Sequence, residues 1–169
     1  MKSITVKGRE YLFNPEDNSV NVISGRKQWK QRTDFDPLIN VLDENNKIKT
    51  FYFKDAEHFN CVPFENGVGY GIMADYHDWI ADGKKYQLHL RTLIWVHKTT
   101  GRLYFELTPI KEIDNISEIR WPVPYEWKRE DENSYTLFPN FMGMMIPSNW
   151  DTEICNNDYY RFCEAGANM

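Results

Sequence analysis

Residues 86–108, YQLHLRTLIWVHKTTGRLYFELT, are the stretch of sequence that decides the fold. Two runs of alternating side chains flank the turn KTTG at 98–101, where Gly101 can adopt the left-handed backbone that such a turn requires. Folding there as an antiparallel hairpin gives one nearly pure apolar face and one mixed face. A slip of one residue would exchange the two faces, so the pattern predicts a single register. In that register Val96 faces Leu103, Trp95 faces Tyr104, Ile94 faces Phe105, Leu93 faces Glu106, Thr92 faces Leu107 and Arg91 faces Thr108.

The rest of the chain shows the same two-residue alternation in short runs that turn-forming residues separate. No stretch holds an apolar helical face over three turns. The pattern predicts an all-β fold, an antiparallel β-sandwich, in which residues 1–169 form a single domain and residues 148–169 an irregular C-terminal segment. The strands predicted outside the hairpin are Ser3–Val6, Ser19–Ile23, Leu38–Leu42, Ile48–Phe53, Gly67–Tyr76, Ile116–Trp121 and Ser134–Phe138.

Composition and charge exclude several classes of function. The 169 residues carry a net charge of −5, and 27% of them are charged and 15% aromatic, which is ordinary for a folded domain. A mildly acidic chain lacks the counterion release that drives nucleic-acid binding, so we expect no nucleic-acid partner. Anionic membrane surfaces are disfavoured for the same reason, and no apolar run approaches the roughly 18 residues that span a bilayer.

The N-terminus and the cysteines point to a reducing compartment. The sequence MKSITVKGRE lacks the apolar core of a signal peptide, so we expect a cytoplasmic protein. Cys61, Cys155 and Cys163 show no zinc-binding spacing, alone or with the histidines, and we expect reduced thiols, no metal and no cofactor. Cys155 and Cys163 would be able to pair if the protein were exported.

The mixed face of the hairpin is the candidate binding surface. Trp95 and Tyr104 offer flat rings of the kind that stack on the apolar C–H face of a sugar. His89, Arg91 and Glu106 offer hydrogen bonds to its hydroxyl groups. We therefore predict carbohydrate binding at these five residues and assign no catalytic residue. The alternative is a half-exposed strand face with a cross-strand Trp95–Tyr104 pair and a diagonal Arg91–Glu106 ion pair.

A proline-stiffened segment, WPVPYEW at 121–127, is predicted to form the rim of this surface. Its three large rings, Trp121, Tyr125 and Trp127, stand on an extended backbone that loses little entropy on binding. The alternative is a loop that folds these rings over the end of the sandwich as a lid on the core.

Two further segments favour structural interpretations. Residues 75–83, DYHDWIADG, predict a solvated loop that Asp82 and Gly83 close as a turn. A divalent cation held by Asp75, Asp78 and Asp82 is the alternative, but this spacing does not fit a calcium-binding loop. The glycines of GVGYG at 67–71 alternate within a strand, which indicates close backbone packing rather than phosphate binding.

Four stretches, in order along the chain, carry a resemblance to a known family. They are Ser19–Ile23 with the following Gly25 and Trp29, the hairpin Leu88–Leu107, the segment Ile119–Pro124, and YTLFPNFMGMMIP at 135–147. Together they resemble the N-terminal β-sandwich of large bacterial glycoside hydrolases and related uncharacterised proteins, a domain similar to the galactose-mutarotase-like supersandwich.

The resemblance implies a carbohydrate-active system whose catalytic carboxylates lie on a (β/α)₈ barrel, in the same or another chain. We therefore predict a non-catalytic accessory or carbohydrate-binding domain, a fragment without that barrel, with a glycan as ligand. It also implies a sandwich that is incomplete at its C-terminus. An unpaired sheet edge would then be exposed, which predicts a homodimer.

Two other functions remain as alternatives. A mutarotase- or epimerase-like enzyme would use His89 or His97 as acid and Glu106 as base. A calycin-like barrel would instead hold an apolar ligand inside a closed sheet.

Overall fold

The computed structural model describes residues 2–43, 45–111, 113, 115–126, 135–138 and 144–147. Contacts between backbone segments divide the chain into two compact units, Met1–Glu126 and Trp127–Met169. The prediction of a single domain over 1–169 stays a prediction. Among the described residues, no helix reaches the length and hydropathy that crossing a bilayer requires.

The first unit is built from three antiparallel sheets, which confirms the predicted all-β, antiparallel sandwich class. One sheet has the order β1-β2-β3-β4, a second β10-β9-β8-β7 and a third β11-β5-β6. A single 3₁₀ turn, Phe53–Asp55, is the one helical element among the described residues. The strands are β1 Lys2–Val6, β2 Arg9–Asn14, β3 Ser19–Ser24, β4 Lys27–Trp29, β5 Leu38–Leu42, β6 Ile48–Tyr52, β7 His58–Glu65, β8 Gly69–Ala81, β9 Lys84–His97, β10 Leu103–Lys111 and β11 Ile116–Arg120.

The second unit contains one described hairpin, β12 (Tyr135–Phe138) and β13 (Met144–Pro147), in which Tyr135 faces Pro147 and Phe138 faces Met144. The predicted strand at 134–138 therefore lies where β12 runs. The segment 148–169, predicted to be irregular, lies outside the described residues.

The predicted β9–β10 register is confirmed pair for pair, from Val96 opposite Leu103 to Arg91 opposite Thr108. Gly101 closes the turn with a φ of 67°, as the sequence required. Four strands were not predicted: β2, β4, β7 and β13. All four contain charged residues or proline, which weaken the alternating signal without preventing backbone pairing.

The inner face of the β7–β10 sheet, which we call the central sheet, packs against both other sheets. Its side chains Leu90, Ile94 and Val96 are fully buried. One apolar cluster joins this face to β5 and β6, and the other joins it to β1, β2 and β3. Between the clusters, the Asn18 amide donates a 2.7 Å hydrogen bond to the Thr92 hydroxyl, which pairs two polar side chains inside the core. The strand orders describe separate open sheets, as in a sandwich rather than a closed barrel.

The prediction of a solvated loop over 75–83 is wrong as far as residue 81, because the long strand β8 continues to that point. Its partner β9 supplies hydrogen bonds along the whole length, which the sequence pattern of β8 alone did not reveal. The pairing shifts by one residue between His77 and Trp79, and Asp78 stands at this bulge with a φ of 65°. The bulge lets Trp79 enter the core, where it is 1% exposed. The predicted turn at Asp82 and Gly83 is confirmed, with φ values of 51° and 73°.

The glycines of β8 confirm the predicted close packing. A Cβ atom on Gly71 would lie 1.9 Å from the Ile94 carbonyl oxygen, and one on Gly69 would lie 2.3 Å from the Trp95 ring. The indole of Trp95 thus lies over a patch of β8 that has no side chains.

We expect Gly71→Ala to destabilise the first unit by about 3 kcal/mol, because its methyl group would collide with backbone that cannot move away. The measurement is the free energy of unfolding in urea. The control is Gly67→Ala, where a Cβ meets nothing within 4 Å. Equal stabilities of the two variants would contradict the close approach of β8 and β9 at Gly71.

Candidate functional site

The outer face of the central sheet carries the hairpin side chains predicted for acid–base chemistry or for ligand binding. Strand alternation places His58, His77, His89 and His97 on this face, and these are all four histidines of the sequence. Arg91, Trp95, Tyr104 and Glu106 lie on the same face. The apolar inner face leaves polar residues no other position, which is why they collect here.

Asp75 organises the polar half of this face. Its carboxylate accepts hydrogen bonds of 2.9 and 3.0 Å from the Arg91 guanidinium, and its Oδ1 lies 2.9 Å from Nε2 of His89. Burial alone would raise the pKa of Asp75, but the hydrogen bonds from Arg91 and His89 outweigh burial and hold that pKa below its ordinary value. The diagonal Arg91–Glu106 ion pair that the sequence suggested was wrong, since Arg91 pairs with Asp75.

Trp95 is held from both sides and at its edge. Its ring stacks on Tyr104 with centroids 4.4 Å apart and planes 12° apart, which confirms the predicted cross-strand pair. The bare backbone of Gly69 and Gly71 lies beneath it, and the rings of Phe64 and His97 lie near it, with centroids 6.5 and 6.4 Å away. The indole N–H donates a 2.6 Å hydrogen bond to Glu106. Trp95 therefore serves mainly to hold Tyr104 in place, and its own ring is less available to contact a ligand.

A cavity of about 580 Å³ adjoins Tyr104 where β10 begins. Tyr11, Val22 and Trp29 form a cross-strand row over β2, β3 and β4 that lines one part of it. The hairpin turn at Gly101 is tied to this sheet, because the Tyr11 hydroxyl donates to its carbonyl oxygen. The full lining is Arg9, Tyr11, Val22, Ser24, Trp29, Gly101, Arg102, Leu103, Tyr104 and Tyr125.

The segment that brings Tyr125 to the cavity is fixed by Gln31, a buried residue. Its amide donates a 2.6 Å hydrogen bond to the Val123 carbonyl and accepts one of 2.8 Å from the Val20 N–H. The backbones of Tyr125 and Gln31 also pair directly, as an isolated antiparallel β-bridge. Within the described part of the chain, the buried Tyr125 hydroxyl has no hydrogen-bond partner. Burial raises the pKa of Tyr125, so this hydroxyl stays protonated and able to donate.

The structure brings only some of the predicted residues together. Tyr104 and Tyr125 line one cavity, with Trp95 and Glu106 behind Tyr104, while His89 and Arg91 belong to the Asp75 cluster. Trp121 packs edge-on against Phe105 on the inner side of the central sheet, the side opposite Trp95. Trp127 lies outside the described residues.

Sequence reasoning missed Trp29, Arg9 and Arg102 as parts of one site. Trp29 is 42% exposed, and both arginines are exposed. Their proximity depends on how the first sheet packs against the hairpin turn, which no local pattern reports. The available signal was Trp29 among the basic and polar residues of RKQWK at 26–30, which offer a large aromatic ring no apolar neighbours.

The three groups named for a mutarotase-like enzyme each have a hydrogen-bond partner in the described part of the structure. His89 bonds to Asp75, and Glu106 accepts the Trp95 indole N–H. Nδ1 of His97 accepts a 3.1 Å hydrogen bond from the Thr99 backbone in the hairpin turn.

Comparison with known proteins bears on the fold. No protein-family model matches the sequence, and no curated protein matches it. The chain is similar in structure to the α-N-acetylgalactosaminidase NagBb from Bifidobacterium bifidum in complex with GalNAc, with a TM-score of 0.71 and 23% identity, over 89% of this chain and 22% of that one. The Gal-NHAc-DNJ complex of that enzyme gives a TM-score of 0.73 at 23% identity over 89% and 23%. The ligand-free enzyme gives 0.67 at 20% identity over 87% and 21%.

The chain therefore has the fold of a β domain that occurs in a glycoside hydrolase. It spans less than a quarter of the length of the matched structures. Fold likeness at this level of identity carries no site residue from one protein to the other.

We expect Asp75→Asn to flatten the dependence of stability on pH. The folded-state pKa of Asp75 lies below its ordinary value of 3.8, so its ionised form stabilises the fold above that value. This stabilisation is lost as pH falls through the folded-state pKa. The free energy of unfolding, measured in urea at pH 7, 4 and 3, should fall less steeply for the variant than for the wild type.

The matched control is Asp34→Asn, whose carboxylate pairs with Arg32 in an exposed segment. Solvent screens that pair, so we expect a smaller change of slope there. Parallel curves for Asp75→Asn and the wild type would show that the Asp75 cluster does not stabilise the fold.

Proposed function

We propose that this chain is the accessory β-sandwich domain of a glycoside-hydrolase-type protein, with the catalytic barrel in the same or another chain. The observation that supports this is its structural match to a glycoside hydrolase of which it covers only 22%. The engagement of His89 and Glu106 in structural hydrogen bonds agrees with a non-catalytic role. The finer likeness to galactose-mutarotase-like sandwiches stays a prediction, as do a cytoplasmic location and a homodimer.

The accessory domain binds carbohydrate, and the cavity between Trp29 and Tyr104 is its site. Four aromatic residues line it: Tyr11, Trp29, Tyr104 and Tyr125. Flat rings stack on the C–H face of a pyranose, whereas side chains with fixed N–H donors select its hydroxyl pattern. Arg9 and Arg102 supply such donors at the wall of the cavity.

The geometry suits weak, specific recognition of one or two sugar rings. A volume of about 580 Å³ lies in the range of small-molecule sites. Tyr104 is fixed before binding by its stack on Trp95, so that ring loses little freedom when a ligand arrives.

Saturation-transfer NMR with N-acetylgalactosamine, galactose and glucose tests the carbohydrate site. We expect millimolar binding of at least one sugar, because a single sugar site gains little against ordering costs. Trp29→Ala and Tyr104→Ala should abolish the signal, and Trp95→Ala should weaken it through Tyr104. Tyr52→Ala is the control, since Tyr52 is 38% exposed on a different sheet. No saturation transfer to any of the sugars would contradict the proposed site. Equal transfer from the Trp29→Ala and Tyr52→Ala variants would contradict it as well.

The non-catalytic role makes a separate prediction. The chain alone should not release p-nitrophenol from p-nitrophenyl glycosides of the same three sugars above the rate in buffer. If the highly purified chain still releases p-nitrophenol, and His89→Ala or Glu106→Gln lowers that rate, the chain is an enzyme and the accessory role is wrong.

A further inference from the structure

Three histidines form a row across the outer face of the central sheet, away from the aromatic cavity. His58 on β7 is directly opposite His77 on β8, and His77 is directly opposite His89 on β9. Each neighbouring pair of rings has its centroids 4.9 Å apart. The Asp75 carboxylate lies 2.9 Å from Nε2 of His89, whereas neither of the other two rings has a hydrogen bond among the described contacts.

The bulge in β8 adds a carboxylate to this row. In a regular strand Asp78 would face away from His77, because neighbouring side chains alternate. At the bulge, with its φ of 65°, the Asp78 carboxylate instead stands 3.9 Å from Nδ1 of His77. One ligand atom from each of His58, His77 and Asp78 lies within 4.8 Å of the other two. A non-glycine residue in the left-handed region is uncommon in a strand and often marks a functional position.

These three donors form a ligand set for a borderline divalent transition-metal ion. Two imidazole nitrogens and one carboxylate oxygen suit Zn²⁺, Ni²⁺ or Cu²⁺ rather than Mg²⁺ or Ca²⁺, which prefer oxygen alone. Bonds of about 2.0–2.2 Å to one ion require the ligand atoms to move closer by roughly 1 Å. The partial exposure of the His77 and Asp78 side chains, 39% and 21%, leaves room for this rotation and for a water ligand.

Lys85 is the competitor that a metal ion must displace. Its ammonium group lies 3.0 Å from the Asp78 carboxylate and 3.0 Å from that of Glu57. When a metal ion takes Asp78, Lys85 keeps Glu57 as its partner, so no buried charge is left unpaired. The Lys85 side chain is itself 45% exposed, so its ammonium group can be solvated.

We propose that His58, His77 and Asp78 form a surface site for a divalent transition-metal ion of the zinc class. The site would crosslink β7 to β8 at the end of the central sheet. It is independent of the carbohydrate cavity, so failure of either proposal leaves the other standing.

Zinc titration, followed by two-dimensional NMR of the imidazole nitrogens, tests this site. We expect the signals of His58 and His77 to shift with added Zn²⁺ while those of His97 stay in place. His58→Asn, His77→Asn and Asp78→Asn should each weaken zinc affinity at least about tenfold, since even an outer partner of a metal ligand contributes that much. Asn at position 78 tolerates the left-handed backbone, so this variant removes charge without removing the bulge.

His97→Asn is the matched control, because it removes a histidine from the same face but outside the row. Its zinc affinity should equal that of the wild type. The proposal fails if zinc leaves the His58 and His77 signals unchanged, or if His58→Asn and His77→Asn bind zinc as tightly as His97→Asn.

Discussion

The register between β8 and β9, interrupted by a one-residue bulge at Asp78, is the constraint on which the rest of the structure depends. Before the bulge Asp75 faces Arg91, and after it Trp79 faces Tyr86. Since side chains alternate, the inserted residue allows both Tyr76 and Trp79 to lie in the core. The same pairing leaves the whole outer face to polar and aromatic side chains. The two cores, the Asp75 cluster and the support of Tyr104 by Trp95 all follow from it.

The parts of the fold that the sequence predicted are those set by local alternation and turn chemistry. The β9–β10 hairpin needed only its two runs and Gly101, and its register is as predicted. The misread segment at 75–81 shows the limit. If the β8–β9 pairing next to the turn at Asp82 and Gly83 continued without a bulge, Asp75 would lie opposite Leu90, on the buried face. The bulge lets Tyr76 and Trp79, on either side of it, pack in the same apolar cluster, which is a tertiary effect that no local pattern encodes.

The candidate site likewise contains one part set by local sequence pattern and one part set by tertiary packing. The Trp95–Tyr104 stack lies within one hairpin and was predictable, whereas the cavity beside it also needs Trp29 and Arg9 from another sheet. The fixing of Trp95 by Gly69 and Gly71 could be anticipated only in part, because the glycines were recognised as packing positions but their partner was not. Residues from three separate sequence regions meet only once the sheets pack together. Sequence patterns therefore identify the aromatic residues but not the cavity that they line.

The central claim is that a sugar occupies the cavity between Trp29 and Tyr104. A crystal structure of the full chain, soaked with N-acetylgalactosamine at a concentration well above its dissociation constant, tests it most directly. The account predicts density for a pyranose ring stacked on Trp29 or Tyr104, with a hydroxyl within hydrogen-bond distance of Arg9 or Arg102. An empty cavity in crystals that leave it open to solvent, or a sugar bound on another sheet, would contradict the account.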